Sequence, residues 1–344
     1  MTLLSPRLRD AARLGIHRSL EPPGALPHIA RRLNAALAIN EHEAELAVEM
    51  LNIDATSFGD IRRRSDSDPE AMGALIAGIV TEHGKLQNPV TGSGGVALGR
   101  VTAVGEDYRA GDLTLGDLVV PLASLIAVPL ELSAVGPVDP ASALVPVRGR
   151  AVVTGEMRCG PVAPDLGPEV SLRAFDVYPV ASYACELASA GEHVLVLGAG
   201  HAGLLAAAAA RRAVGPTGII TAVDVDPGAL ERVREVDPGV VSIRADVTDP
   251  LEVAGPMDAA ADLTLVCTSV PGAEGAALLA TASRGTIVFF STATRFAAAA
   301  LGADAVGSQA ALVIPNGLTD DRGQLALALL REVAPLRRAF GGQA

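Results

Sequence analysis

Beyond residue 190 the chain alternates short, unbroken apolar runs with longer Ala-rich stretches: HVLVLG, HAGLLAAAAARRAV, GIITAVD, PGALERVREV, VVSIRAD, DLTLVCTS, EGAALLATAS, GTIVFFS and ALVIPNG. Apolar strands that lack polar alternation, separated by helix-length segments, predict a parallel sheet covered on both faces. The first half is patterned differently. Residues 45–53 (ELAVEMLNI) and 96–104 (VALGRVTAV) alternate as strands, and 111–122 (GDLTLGDLVVPL) reads as a turn feeding a third. The stretch 60–86 opens polar and becomes a helix, with SDSDPE supplying cap residues ahead of Pro69 in the first turn. Short strands with Gly and Pro turns continue to about residue 165, which predicts an irregular β-barrel. The organisation expected is a barrel domain over 1–165 and a doubly wound parallel-sheet domain over 166–318. A C-terminal amphipathic helix within 319–344 belongs to the second domain or returns to the first.

Composition narrows the function classes. A length of 344 residues suits two domains of roughly 150 residues each. With 49% hydrophobic and 19% charged residues the chain can bury a core, which rules out disorder. A net charge of −12 argues against nucleic acid or an anionic membrane as the main partner, and is compatible with a cationic substrate. Cys159, Cys185 and Cys267 are widely spaced without a CxxC, as in a reduced cytoplasmic protein with no cysteine–zinc site. The first residues, MTLLSPRLRDAARLG, lack the apolar run of a signal peptide, and no later run makes a spanning helix. A soluble cytoplasmic protein is expected.

The most specific motif is Gly198-Ala199-Gly200-His201-Ala202-Gly203, a G-x-G-x-x-G directly after an apolar strand and opening a helix. A second strand ends in Asp224, 21 residues beyond Gly203. That context identifies a Rossmann dinucleotide site. Gly198 permits the tight turn, Gly200 the approach of backbone to pyrophosphate, and Gly203 close helix–strand packing, with phosphates at the helix N-terminus. Asp224 would accept both ribose hydroxyls and repel a 2′-phosphate, so NAD is expected in preference to NADP. Asp226 reads as a cap for the helix at Pro227. Thr268 and Ser269, at the end of the fourth strand, either touch the cofactor or form a turn.

A barrel of about 160 residues followed by a G-x-G-x-x-G domain resembles the medium-chain dehydrogenase/reductase architecture, whose first domain is GroES-like. Residues 45–57 (ELAVEMLNIDATS) and 90–104 (VTGSGGVALGRVTAV) resemble its first catalytic loop and the loop bearing the zinc ligands of the zinc alcohol dehydrogenases. Here Asp54 stands where a Cys would be and Ser93 where a His would be, and a four-cysteine lobe is absent. A lone carboxylate makes a poor zinc site, so no metal is expected.

A narrower resemblance covers nearly the whole chain. The runs GIHRSLEPPGALP (15–27), LNIDATSF (51–58), EHGKLQNPVTGSGG (82–95), STATRFAAAALGADAVG (291–307) and PNG (315–317) are similar to the L-erythro-3,5-diaminohexanoate dehydrogenase family. The resemblance implies NAD-dependent oxidative deamination of a small cationic amino acid at its 3-amino carbon, without zinc. Such chemistry needs a base, anions for ammonium groups and a cation for the carboxylate. Arg18 either clamps the substrate carboxylate or forms an ion pair. Asp54 would lie near the nicotinamide and hold an ammonium, or cap its loop. Glu82 is the second such carboxylate, unless merely solvated. His17 and Glu21 lie in a Pro-flanked segment that contacts substrate or only packs, and Ser57 and Thr91 would cap loops. Gln87 and Asn88 flank the most specific run as substrate-binding candidates. His201, at a variable motif position, and Arg62-Arg63-Arg64 and Arg337-Arg338, as solvated faces, are discounted.

Lys85 stands apart. Of the 27 basic residues, one is lysine and 26 are arginine, and the lysine lies inside EHGKLQNPVTGSGG. Arginine cannot be deprotonated in a protein, whereas a desolvated lysine can become a base. Lys85 is therefore the candidate that activates water, the alternative being a loop salt bridge. The apolar strand at 312–317 resembles the edge through which medium-chain enzymes join sheets, which implies a homodimer. Two other readings share the fold: a zinc-independent carbonyl or quinone reductase, and a cofactor-binding structural protein without activity.

Overall fold

A 3₁₀ turn (Ile16–Arg18) leads into two short antiparallel strands, β1 (Ser19–Glu21) and β2 (Arg32–Leu33). The computed structural model describes residues 11–315, 317–319 and 321–343, and the chain divides into two units, Met1–Pro168 and Glu169–Ala344. In the first unit β3 (Ala44–Ile53) is followed by helices α1 (Ala55–Arg64) and α2 (Pro69–His83). Five strands complete it: β4 (Gly95–Val104), β5 (Leu118–Pro121), β6 (Leu130–Val135), β7 (Leu144–Val153) and β8 (Cys159–Pro161). They form one antiparallel sheet in the order β6-β7-β3-β4-β5-β8. The alternation seen in β3 sends Leu46 and Val48 inward, where they meet Ile61 of α1 and Met72 and Ile76 of α2 in one core.

Helix α2 begins as its sequence predicts, with Asp68 accepting from the Ala71 N–H at 2.7 Å and Pro69 in the first turn. Helix α1 was not expected. Its polar, Gly-containing run (ATSFGDIRRR) has little intrinsic preference for helix, and it is fixed instead by the Asp54 cap and by burial of Phe58 and Ile61. Arg62, Arg63 and Arg64 on its last turn are exposed, as expected of a solvated face.

The second unit opens with helices α3 (Pro168–Val177) and α4 (Pro179–Leu187). Strand and helix then alternate: β9 (His193–Leu197), α5 (His201–Val214), β10 (Ile219–Asp224), α6 (Pro227–Val236), β11 (Val241–Arg244), α7 (Pro250–Ala254), β12 (Ala261–Val266), α8 (Glu274–Ala280), β13 (Thr281–Phe289), α9 (Phe296–Val306) and β14 (Ala311–Val313). All six strands are parallel, in the order β11-β10-β9-β12-β13-β14, which is the doubly wound order of a dinucleotide-binding domain. The Ala run of α5 is buried from Gly203 to Ala210, so small side chains let this helix lie close on the sheet.

The C-terminal segment, expected as one helix, is two: α10 (Gln324–Glu332) and α11 (Ala334–Ala339), broken where Pro335 cannot continue the first. Contacts within the second unit hold this segment. Arg173 of α3 donates to the Phe340 carbonyl at 3.0 Å, and His201 of α5 meets the Ala339 carbonyl at 3.1 Å. Among the described residues no helix is long and apolar enough to cross a membrane.

Candidate active site

The glycine loop is built by contacts that only glycine allows at two of its three positions. Gly198 has φ +97°, and a Cβ there would lie 2.7 Å from the Thr268 backbone nitrogen. A Cβ on Gly203 would lie 1.9 Å from the Gly198 carbonyl oxygen, so the helix could not pack back on the turn. Around Gly200, by contrast, a Cβ would meet nothing within 4 Å. That open space lies at the N-terminus of α5, which no side chain caps, so its first N–H groups face a cradle of the kind a pyrophosphate fills. The residues fit a dinucleotide.

Asp224 ends β10 beside this loop: Oδ2 accepts from the Ala199 N–H at 2.7 Å and Oδ1 from the Asp226 N–H at 2.9 Å. Each oxygen keeps a lone pair for a ribose hydroxyl. Asp226 caps α6, accepting from the Gly228 and Ala229 N–H groups. Thr268 abuts Gly198, and its hydroxyl accepts from the Val270 N–H at 3.4 Å, so it forms the turn while flanking the loop; Ser269 beside it is exposed. Sequence reasoning missed Arg244. The β10–β11 register sets it opposite Asp224, and its Nε donates to the Val225 carbonyl at 3.2 Å. Only the strand pairing reveals that cation. His201 is held by the Ala339 carbonyl and by the Phe340 ring, centroids 4.7 Å apart.

In the first unit the two positions implied as metal-ligand equivalents come together. Ser93 Oγ donates to Asp54 Oδ1 at 3.0 Å, and the Ser57 N–H reaches the same oxygen at 3.0 Å. Ser57, Thr91 and Ser93 interlock through their hydroxyls, Ser57 lying 2.8 Å from each of the other two. Asp54 is thus the expected cap and more. Its Oδ2 is buried and has no hydrogen-bond partner among the described residues. Asn88 braces the same turn, donating to Asp60 Oδ2 at 3.0 Å and accepting from the Val90 N–H at 2.9 Å. Its Nδ2 is committed to protein acceptors, the Ser57 carbonyl at 3.4 Å being the second. Gln87 spans its own loop weakly, to the Gly92 carbonyl at 3.4 Å.

Lys85 is fully buried, its Nζ donating to the carbonyls of Pro27 (3.0 Å) and His28 (3.5 Å). No carboxylate partners it among the described residues. Burial pulls its pKa down to about 8. Glu82 does not join it: the carboxylate is exposed and pairs with Arg31 at 3.3 Å. Glu21 also pairs with Arg31. Glu82 is thus a solvated carboxylate, apart from Lys85.

Arg18 is likewise corrected. Its guanidinium is fully buried and grips Glu43 bidentately, with Nε–Oε1 and Nη2–Oε2 both at 2.6 Å. The other donors reach the carbonyls of Asn34 (3.0 Å), Leu37 (3.0 Å) and Ala38 (3.1 Å). All five N–H groups are spent, and none remains for a substrate carboxylate. His17 Nε2 lies 3.3 Å from the same Glu43, and burial lowers its pKa despite that neighbour. Glu43 organises this cluster, yet nothing in its local sequence marks it.

Burial raises all three cysteine thiols, Cys159 and Cys267 to about 12. Among the described residues no group of three or more His, Cys, Asp or Glu is placed to hold a metal ion.

Similarity to known proteins extends over both units. The L-erythro-3,5-diaminohexanoate dehydrogenase N-terminal domain matches residues 17–160. The L-erythro-3,5-diaminohexanoate dehydrogenase of Fusobacterium nucleatum is 34% identical over 343 residues, covering 97% of this chain and 99% of the relative. That of Acetoanaerobium sticklandii is 33% identical over 335 residues, covering 95% and 97%. Among solved structures, alcohol dehydrogenase TADH from Thermus sp. ATN1 has a TM-score of 0.51 at 21% identity, covering 89% of this chain and 85% of that one. Zinc dependent alcohol dehydrogenase 2 from Streptococcus pneumonia has 0.53 at 14%, covering 88% and 84%. These two alcohol dehydrogenases share the fold of this chain.

Proposed function

The chain belongs to the L-erythro-3,5-diaminohexanoate dehydrogenase family, and we propose that it oxidatively deaminates that substrate at C3, giving 5-amino-3-oxohexanoate and ammonia. The observation that carries this reading is similarity along nearly the full length of both relatives, since the fold alone serves many reactions. A nicotinamide dinucleotide, which Gly198, Gly200, Gly203 and Asp224 would hold, would supply the acceptor for the hydride lost from C3. Lys85, neutral, takes a proton from the water that adds to C3 and returns it to the nitrogen. The C–N bond then breaks, ammonia leaves, and the hydroxyl proton is released as the ketone forms. Asp54 is the carboxylate on the amine side. Turnover of NAD with the diamine, against ketones and quinones as alternative substrates, tests the reading. Reduction of the ketones with no action on the diamine would refute it.

The cofactor is NAD in this proposal. A 2′-phosphate would face the Asp224 carboxylate, and Val225 beside it offers no cation. Arg244, at the Val225 carbonyl, softens that repulsion without removing the acceptor that ribose hydroxyls need. The expected result is a kcat/KM at least about tenfold higher for NAD, a difference of about 1.4 kcal/mol. Asp224→Ala should narrow the gap. Equal kcat/KM for the two cofactors in the unmodified enzyme would contradict it.

The enzyme is also proposed to be a homodimer. Strand β14 is the outermost of its sheet; Ile314 just beyond it is 61% exposed, and on α9 Leu301 is 70% exposed, with Ala299 the one buried residue recorded there. Asn316, within the strand expected at 312–317, lies outside the described residues. An apolar sheet edge flanked by an apolar helix is an aggregation hazard that a second copy removes. Light scattering at micromolar concentration should give twice the mass of one chain, 34.9 kDa; a monomer would refute the proposal.

A further inference from the structure

We infer that Asp54 is the residue that suits this site to amines over alcohols: its Oδ2 accepts from the reacting nitrogen and stabilises the positive charge that appears there, and Ser93 positions it. The inference rests on the proposed oxidative deamination and deepens it.

Three features of the cluster support it. Asp54 Oδ1 is saturated by the Ser57 N–H and the Ser93 hydroxyl, both at 3.0 Å, so the carboxylate is held in one orientation. The neighbouring hydroxyls of Ser57, Thr91 and Ser93 are turned to one another, at 2.8 to 3.2 Å, and none serves Oδ2. Oδ2 is nonetheless shielded from water and has no hydrogen-bond partner among the described residues. A buried, unsatisfied carboxylate oxygen is costly, and natural chains retain one where a ligand uses it.

The sign of the charge then fits the reaction. Hydride loss from a carbon bearing a neutral amine closes the C=N bond with the nitrogen lone pair and leaves a cation. Hydride loss from a carbon bearing an alkoxide consumes negative charge and leaves a neutral carbonyl. A cation beside the reacting atom assists the alcohol reaction and opposes the amine reaction; a fixed carboxylate does the reverse. At the two positions where the zinc alcohol dehydrogenases would carry ligands, this chain holds Asp54 and Ser93, joined to each other. Ser93 does not touch the substrate in this account. It turns Oδ1 inward and leaves Oδ2 as the free acceptor.

The test uses the full-length enzyme with NAD and two substrates, L-erythro-3,5-diaminohexanoate and its 3-hydroxy analogue, with NADH affinity measured by calorimetry. Asp54→Asn keeps the shape and removes the charge. It should lower kcat for the diamine at least about a hundredfold, the scale of removing one preorganised group that stabilises transition-state charge. The amine-to-alcohol preference should fall at least about tenfold, with NADH affinity retained. Ser93→Ala should lower kcat for the diamine about tenfold with little change in KM, and Ser93→Thr should restore it. Equal losses on both substrates in Asp54→Asn, or turnover near native, would overturn the inference. Should Asp54→Asn fail to fold, Ser93→Ala decides: native kcat for the diamine overturns the inference, and a tenfold loss rescued by Thr upholds it. An unmodified enzyme inert on the diamine would refute the proposed function itself, a different outcome from an active enzyme with an indifferent Asp54.

Discussion

Replacing Lys85 by arginine is expected to leave cofactor binding intact while lowering kcat for deamination at least about a hundredfold, the usual scale of a general base. Lys85 is the one lysine of the chain and is fully buried. It rests on two neutral carbonyls, and burial alone brings its pKa to about 8. Near neutral pH a usable fraction is therefore the free amine, whereas an arginine would stay charged. In the native enzyme kcat should rise with pH and level off above about 8, as the ammonium loses its proton. In Lys85→Arg that inflection should vanish together with the activity, while calorimetry still registers NADH. The same Nζ ties down the 27–28 backbone, so Lys85→Met serves as a second variant. It fills the same space without charge or base, and it too should be inactive while binding NADH. Near-native turnover in either variant would reduce Lys85 to an anchor for that backbone.

The second large effect is on stability. Arg18→Met should destabilise the protein by about 3–5 kcal/mol, because it strands Glu43 as an uncompensated charge in the interior. The Asn34, Leu37 and Ala38 carbonyls lose their donors at the same time. At roughly 2–4 °C per kcal/mol for a domain of this size, the melting temperature should drop by about 10 °C. Arg18→Lys keeps the charge and loses the bidentate fork, and should fall between the two. A substrate clamp would behave in the opposite way, with KM raised and melting unchanged. Differential scanning calorimetry beside steady-state kinetics separates the two roles.

These two residues also mark how far the amino-acid sequence was readable. The second unit was legible nearly element by element, because its central strands are buried on both faces and its glycine loop is a local feature of backbone sterics. Lys85 stood out through scarcity, and the structure buries it. Arg18 could not be resolved, because its partner Glu43 lies 25 residues away and only the tertiary fold brings them together. Glu82 looked like Asp54 on paper; a helix-end position directs one to solvent and Arg31, whereas a cap position directs the other into a hydroxyl network. Helix α1 was invisible for a related reason: its stability comes from the Asp54 cap and two buried apolar side chains and hardly at all from propensity. Arg244 is set opposite Asp224 by strand register, which periodicity does not encode.

The central claim is that the chain removes the amino group at C3 by a nicotinamide-linked oxidation. It is tested most directly with L-erythro-3,5-diaminohexanoate carrying ¹⁵N at the 3-amino position, incubated with the purified enzyme and NAD. Equal amounts of NADH and ¹⁵N-labelled ammonia, with unlabelled nitrogen retained in the keto acid, are the predicted result. Unlabelled ammonia, or no NADH at any concentration of the diamine, would contradict it.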